Sequence, residues 1–472
     1  MQLRLWCISI PVPKISPIIL AALPIANNLD ALRLFDFLKQ ILHGLIDHAI
    51  SVISYSCDGS VVERSVQSLL LLSGDEHIEY SIPNPQSGES DIKITVIKIR
   101  GQPLTIVQDS KHALKTYRNN LYSGARCLVM GNYVALYEQV LHISRGEGTP
   151  LYQRDVNKVD RQDDNAATRL FSAGVLQYIS DHHPEYIGLI VYLFVFGELV
   201  DAYQNRHIPH AERLKIVLRA RYFLDCWLAF LAAGGYPTAQ YCLSREAIDI
   251  TRILIEGYIS LMYIHRDCLS DRFDEPVPFL PWLHSSEPCE HVFGDARKIV
   301  SDFTMLDFIY FIPKLSVTLR KAANQTKDSN AKATAMGYNH TYLNCDGLDL
   351  LTLATFPSDS EIGEIAQAAA EEVDSLMKLL GIDPACLRHM KRLGLQTGET
   401  AMLPSIDTWF LEEFDELAVE EDKIEGSEQE VLQDILEHET DHTLSRTHKQ
   451  DEAVERLSYA AAVLVAEDME KV

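Results

Sequence analysis

What this chain lacks bounds it first. Its 472 residues include nine cysteines, an odd number, and no C-x-x-C pair. That argues against a zinc ribbon and against a disulfide framework, so reduced, mostly buried thiols are expected. Neither a G-x-x-x-x-G-K-[ST] loop nor a kinase Gly-rich loop is present, so those two phosphate cradles are missing. Positive charge is scarce: 42 Lys and Arg stand against 67 Asp and Glu, a formal net charge of −25. A chain that binds nucleic acid nonspecifically over its whole length needs the opposite balance. No apolar run reaches the ~20 residues of a membrane helix, and no internal repeat is found.

The opening imitates a secretory leader, with Arg4 ahead of an apolar run over 16–26, and Asn324-Gln-Thr326 and Asn339-His-Thr341 are glycosylation sequons. Pro11, Pro13, Pro17 and Pro24 interrupt that block. Two early strands, over 3–10 and 18–22, are therefore expected in a protein that is not secreted.

What is there is a globular composition, 47% hydrophobic and 23% charged. It can bury a large core, and the length suits two or three domains. Leu32, Phe35, Leu38, Ile41, Leu42 and Leu45 recur at helical spacing and predict a helix over 29–49 with those residues inward. Strands follow over 50–56, 92–99 and 103–107, with a helix over 61–72. From 152 to 264 the pattern turns helical, clearest over 211–233 and 244–264. Pro288 fits the first turn of a helix capped by Ser285 or Ser286, with Val292, Phe293, Ala296, Ile299 and Val300 inward. Asp302 or Thr304 starts another helix, to about Arg320. Ser358 and Glu361 form a capping box for a helix over 362–380, ended by Gly381. Past Trp409, runs such as Glu420-Glu421-Asp422 predict a solvated helix or a disordered acidic tail.

Acidic residues punctuate this plan. Asp58 follows a buried-type strand and precedes Gly59, a place for a cation ligand and equally for an Asp-Gly turn. Asp109 lies just past the next strand and can cap a helix on which Lys111, Lys115 and Arg118 recur as a small basic face. That face suits a phosphodiester beside metals, or is simply a solvated surface. Glu290 sits near the start of its helix, where the dipole favours a carboxylate; it is otherwise a surface glutamate, and Glu287 could fill the same role. His265-Arg266-Asp267 lacks the asparagine of a kinase loop. Asp181-His182-His183 reads as a polar helix end rather than a metal cluster. The stripes at 261–263 and 308–311 read as core.

Taken in order, Cys57-Asp58-Gly59, Asp109-x-x-His112-x-x-Lys115-x-x-Arg118-Asn119-Asn120, Phe171-Ser172 after the polar 157–165 stretch, and Glu290-x-x-Phe293 resemble the catalytic region of P-element-like transposases, the group that includes THAP-domain transposases. The resemblance spans roughly residues 1–320. It implies an α/β fold, an RNase H-like mixed sheet interrupted by a large all-helical insertion, with a helical acidic C-terminal extension. The implied parts are 1–145 and 279–345 for the sheet domain, 146–278 for the insertion and 346–472 for the C-terminal region.

By resemblance the chemistry is DDE-type DNA cleavage and joining with two Mg²⁺ ions about 3.5–4 Å apart. Asp58 and Glu290 resemble the second and third acids, and Asp109, His112, Lys115, Arg118 and Asn119 support them. The family's first acid lies on an opening strand ahead of 3–22, so an impaired or inactive, domesticated site is expected. GTP is implied by resemblance only, with Lys158 and Asn165 as guesses. DNA as partner and the nucleus as location (the cytoplasm otherwise) are implied likewise. A noncatalytic scaffold binding proteins through the acidic tail, with no membrane, is the alternative.

Overall fold

The computed structural model describes residues 2–10, 15–25, 30–86, 89–157, 160–269, 276–324 and 347–392. The chain divides into two units, Met1–Thr400 and Ala401–Val472, and every described residue belongs to the first. Lys158, the second sequon and the acidic tail lie outside the described residues.

Strands β1 (Gln2–Ile8) and β2 (Ile18–Ile25) pair antiparallel. Side chains alternate across a strand, so this hairpin serves two cores. Trp6 packs with Leu34, Leu38 and Leu42 of α1 (Ala31–Asp47). Leu5 packs with Val292 and Ala296 of α12 (Glu287–Ile299) and with Phe308, Leu315 and Leu319 of α13 (Met305–Asn324). The helix over 29–49 is thus present, with Leu38 and Leu42 of its stripe buried and Phe35 and Ile41 packed beside them; Leu32, 62% exposed, yields its inward place to Leu34. The 308–311 stripe is likewise split. Phe308 is buried, while Ile309 and Tyr310 face solvent, because only one side of α13 meets the hairpin.

The central sheet has four strands, β3 (Ser54–Cys57), β4 (Glu76–Ile82), β5 (Ile92–Ile99) and β6 (Gln102–Gln108). Their order is β3-β6-β5-β4, with β3 parallel to β6 and the other pairs antiparallel. Helix α2 (Val61–Leu72) leaves β3 and α3 (Ser110–Tyr122) leaves β6. Strand β4 has no counterpart in the sequence reading, since Glu76, His77 and Glu79 break its apolar signal.

A large helical region follows the short hairpin of β7 (Leu128–Met130) and β8 (Tyr133–Ala135). It comprises α4 (Tyr137–Ser144), α5 (Gln153–Asn157), α6 (Asp164–Leu170), α7 (Ala173–His182), α8 (Ile187–Gln204), α9 (His210–Ala233), α10 (Thr238–Tyr241) and α11 (Arg245–Tyr263). Helix α8 is long and apolar enough to cross a membrane by length and composition, but 67% of it is buried inside the protein. One apolar core runs from Ile94 and Val107 of the sheet through α8, α9 and α11 to Val373 of α14 (Asp359–Leu379). Each large side chain so buried contributes about 1.5–3 kcal/mol. Gly257 lets α11 lie against β6: a Cβ there would stand 2.7 Å from the Ile106 carbonyl oxygen. Ser358 and Glu361 form the expected capping box on α14.

Of the cysteines, Cys57, Cys226 and Cys242 are buried free thiols; Cys7, Cys127, Cys268 and Cys289 are half-buried, and Cys386 is exposed.

Candidate functional site at the carboxyl edge of the sheet

Parallel pairing decides where the first two acids go. Cys57 is in register with Gln108, so Asp58 and Asp109 both stand one residue past the last paired position, on adjacent strands. Neighbouring strands lie about 4.8 Å apart. The Asp109 N–H donates to the Cys57 carbonyl at 3.2 Å, and so does Gln108 Nε2. Asp58 is exposed and its Oδ1 accepts from Ser60 N–H at 3.2 Å. The turn reading therefore holds. It leaves the rest of that carboxylate facing solvent. Gly59 makes the turn with φ +86°, and a Cβ there would meet Gln108 Nε2 at 2.2 Å.

Asp109 is 2% exposed and accepts four hydrogen bonds. Its Oδ1 takes the Lys111 and His112 N–H groups at 2.8 and 3.1 Å, capping α3. Its Oδ2 takes both the Ser286 N–H, at 2.9 Å, and the Ser286 hydroxyl, at 3.0 Å. Ser286 does precede α12, but its hydroxyl makes no cap on that helix; it goes to Asp109 instead. A buried carboxylate with four donors is well compensated. It has little capacity left for a metal.

Glu287 and Glu290 open α12. Glu287 is buried, 2.6 Å from Lys111 Nζ and 3.3 Å from His291 Nε2. Burial alone would raise its pKa, but the hydrogen bonds and charges of His291 and Lys111 outweigh burial and hold it below the ordinary value. Glu290, one turn on, is pushed up to about 7. Burial is the main cause, followed by the charge of Asp109; Lys115 opposes, and Asp164 and Glu287 add to the rise. The residue keeps an exposed surface, and solvent there mutes the effect. Asp58 is not among the charges acting most strongly on Glu290.

The basic residues of α3 form neither an open basic surface nor a solvated face. Lys111 is held by Glu287. Lys115 is 7% exposed and pairs with Asp164 at 2.9 Å. Arg118 is fully buried and donates to the Asp163 and Asp160 carbonyls at 2.8 and 2.7 Å. Asn119 Nδ2 donates to the Arg161 carbonyl at 3.3 Å, and the Asn120 carbonyl oxygen Oδ1 accepts from Ser244 N–H at 2.7 Å. His112 contributes main chain, its N–H to Asp109 and its carbonyl to Thr116 Oγ1 at 3.0 Å. These contacts bring the 160–164 turn, and with it Asp164, to the rim. Sequence reading missed Asp164. The signal was Asp163, which caps α6 by accepting from Ala166 N–H at 3.0 Å and so places Asp164 in the first turn. Asn165, beside it, is exposed on the same helix.

The rim therefore gathers Asp109, Asp164, Glu287 and Glu290 at the starts of α3, α6 and α12, with Lys111 and Lys115 between them, and Asp58 stands at the adjacent strand end. Oxygen ligands and local negative charge suit a hard cation. Yet among the described residues no three His, Cys, Asp or Glu groups stand together as a ready metal cage. Among the described residues, Asp58 and Glu290 take part in no ion pair, whereas Asp164 is held by Lys115 and Glu287 by Lys111.

No protein-family model and no curated protein matches this chain. Among solved structures, the Drosophila P element transposase strand transfer complex is similar, with a TM-score of 0.44 and 14% identity over 66% of this chain and 70% of that one. The architecture of this chain is a mixed α/β one, a four-stranded mixed sheet with a large helical region.

Proposed function

We propose that this chain is a transposase-derived protein whose carboxylate rim retains a weak site for one divalent cation and does not complete strand cleavage. The observation carrying this is the placement of Asp58 and Asp109 on adjacent parallel strand ends, with α12 and Glu290 hung on Asp109 through Ser286. The residue order that resembles P-element-like transposases supports the same ancestry, with DNA as ancestral partner and the nucleus as location. Asp58 and Glu290 would hold the ion, Mg²⁺ by its oxygen preference. Such an ion supplies Lewis acidity toward a phosphate oxygen. With Asp109 saturated, a second ion has no free carboxylate pair to hold it. That favours impaired chemistry, and it is also what a noncatalytic scaffold would retain.

Calorimetry with Mn²⁺ tests the reading. We expect one site with a Kd of about 10⁻⁴–10⁻³ M, the range of sparsely charged sites. Asp58→Ala and Glu290→Ala should each abolish it, while Asp302→Ala leaves it intact. Undiminished binding in the first two variants would refute the cation site and leave the scaffold reading.

A further inference from the structure

A second feature shares no residue with the rim and lies on α13. The inward side of that helix is settled: Phe308, Leu315 and Leu319 are buried in one cluster with Leu5 of the hairpin and Val292 of α12. On an ordinary surface helix the opposite side is polar. Here it is not. Leu306, Tyr310 and Val317 are 60%, 73% and 65% exposed, and Pro313 is exposed among them. At roughly 100° per residue these four positions fall within about 60° of arc and run for about three turns. Ile309, also exposed, borders the stripe. Single exposed apolar residues are ordinary, whereas a continuous row of them marks a surface that another element covers.

The charges beside the stripe are sorted by position. Asp302 precedes the helix and Asp307 stands in its first turn, while Lys314, Arg320 and Lys321 lie in its second half. Asp302, Lys314, Arg320 and Lys321 are exposed, and Asp307 is half-buried. A helix of the same charge pattern laid alongside in the same direction sets like charge against like. Laid in the opposite direction, it sets carboxylates against cations and also opposes the helix dipoles.

The surface is thus complementary to itself, as a two-fold interface requires. An antiparallel register that puts Leu306 opposite Val317 of the partner subunit also puts Tyr310 opposite Pro313 of the partner subunit. It brings Asp302 beside Arg320 of the partner subunit on one flank. On the other flank it brings Asp307 toward Lys314 of the partner subunit.

We propose that the outer face of α13 is a self-association surface on which a second copy of this chain docks antiparallel, about a two-fold axis between Tyr310 and Pro313. The 20 residues of α13 make a rod about 30 Å long. One such helix a side offers less than the ~800 Å² per partner of a standard stable interface, so the dimer is weak and reversible.

Sedimentation velocity of the full chain across the micromolar range tests this, and a monomer–dimer equilibrium is expected. Each substitution acts twice across the two-fold. Tyr310→Ser and Val317→Ser should each weaken association by about tenfold or more. Arg320→Glu should weaken it by setting like charges together, and adding Asp302→Lys to that variant should restore it. Leu32→Ser, at an equally exposed leucine on α1, should leave it unchanged. All these side chains are exposed, and circular dichroism of each variant confirms folding. A chain that stays monomeric throughout, or a dimer that Tyr310→Ser and Val317→Ser leave intact, would overturn the proposal. So would a dimer that Leu32→Ser weakens as much, or a charge swap that restores nothing. None of these readouts depends on Mn²⁺ binding at the rim.

Discussion

Ser286 hangs the start of α12 on Asp109 although the two are 177 positions apart: both its N–H and its hydroxyl donate to one carboxylate oxygen, at 2.9 and 3.0 Å. The other oxygen caps α3. One buried side chain therefore sets two helix starts against the end of β6. It also fixes where Glu290 stands.

Replacing that carboxylate should be costly. Asp109→Ala leaves the Ser286 and α3 donors without their acceptor, and we expect a loss of about 2–4 kcal/mol in urea unfolding. Ser286→Ala should cost about 1 kcal/mol. The double variant should fall short of the sum, because the two share one interaction. Strict additivity would mean the contact contributes nothing.

Stability should depend on pH in two opposed ways. Burial lowers His210 and His284 to about 3 and His265 to about 4, from an ordinary 6.5. His210 is enclosed between Phe279 and Phe356, at 5.1 and 5.0 Å. The unfolded chain takes up protons that the fold refuses, so stability is lost as pH falls from 6.5 toward 4. Glu290, raised from 4.5 to about 7, acts the other way. Its contribution is full below 4.5 and is lost as pH rises through 7. Glu290→Gln should therefore gain on wild type with increasing pH, levelling above 7. Urea midpoints at pH 5, 6, 7 and 8 measure this, and a constant difference would contradict it.

Gly59→Ala should destabilise by about 1–3 kcal/mol, since a non-glycine residue at positive φ is strained and its Cβ collides with Gln108. The accompanying sign is local. Gln108 must leave the Cys57 carbonyl, so exchange at the Gln108 side-chain amide should rise. Unchanged exchange would show that the collision is absorbed elsewhere.

Much was legible along the chain because it is local. The spacing over 61–72 and the alternation over 92–99 mark α2 and β5 to the residue, since burial of one face imposes those periods. Ser358 and Glu361 act within one turn of each other, and their capping box followed directly. Asp58 and Asp109 were legible as strand-end acids.

What pairs with what was decided only by the fold. Lys115 and Arg118 have the sequence of a surface face, yet the 160–164 turn covers them and takes up their charge or donors. Leu32 and Tyr310 have core composition but face water, because their helices meet the β1–β2 hairpin on the other side. Sequence alone determined most of the elements, though not β4, β7 or β8, together with the apolar total and the acidic excess, all properties of near neighbours and of composition. Which carboxylates share a rim, and which of them is already saturated, depends on contacts between distant residues, and only tertiary packing brings those together.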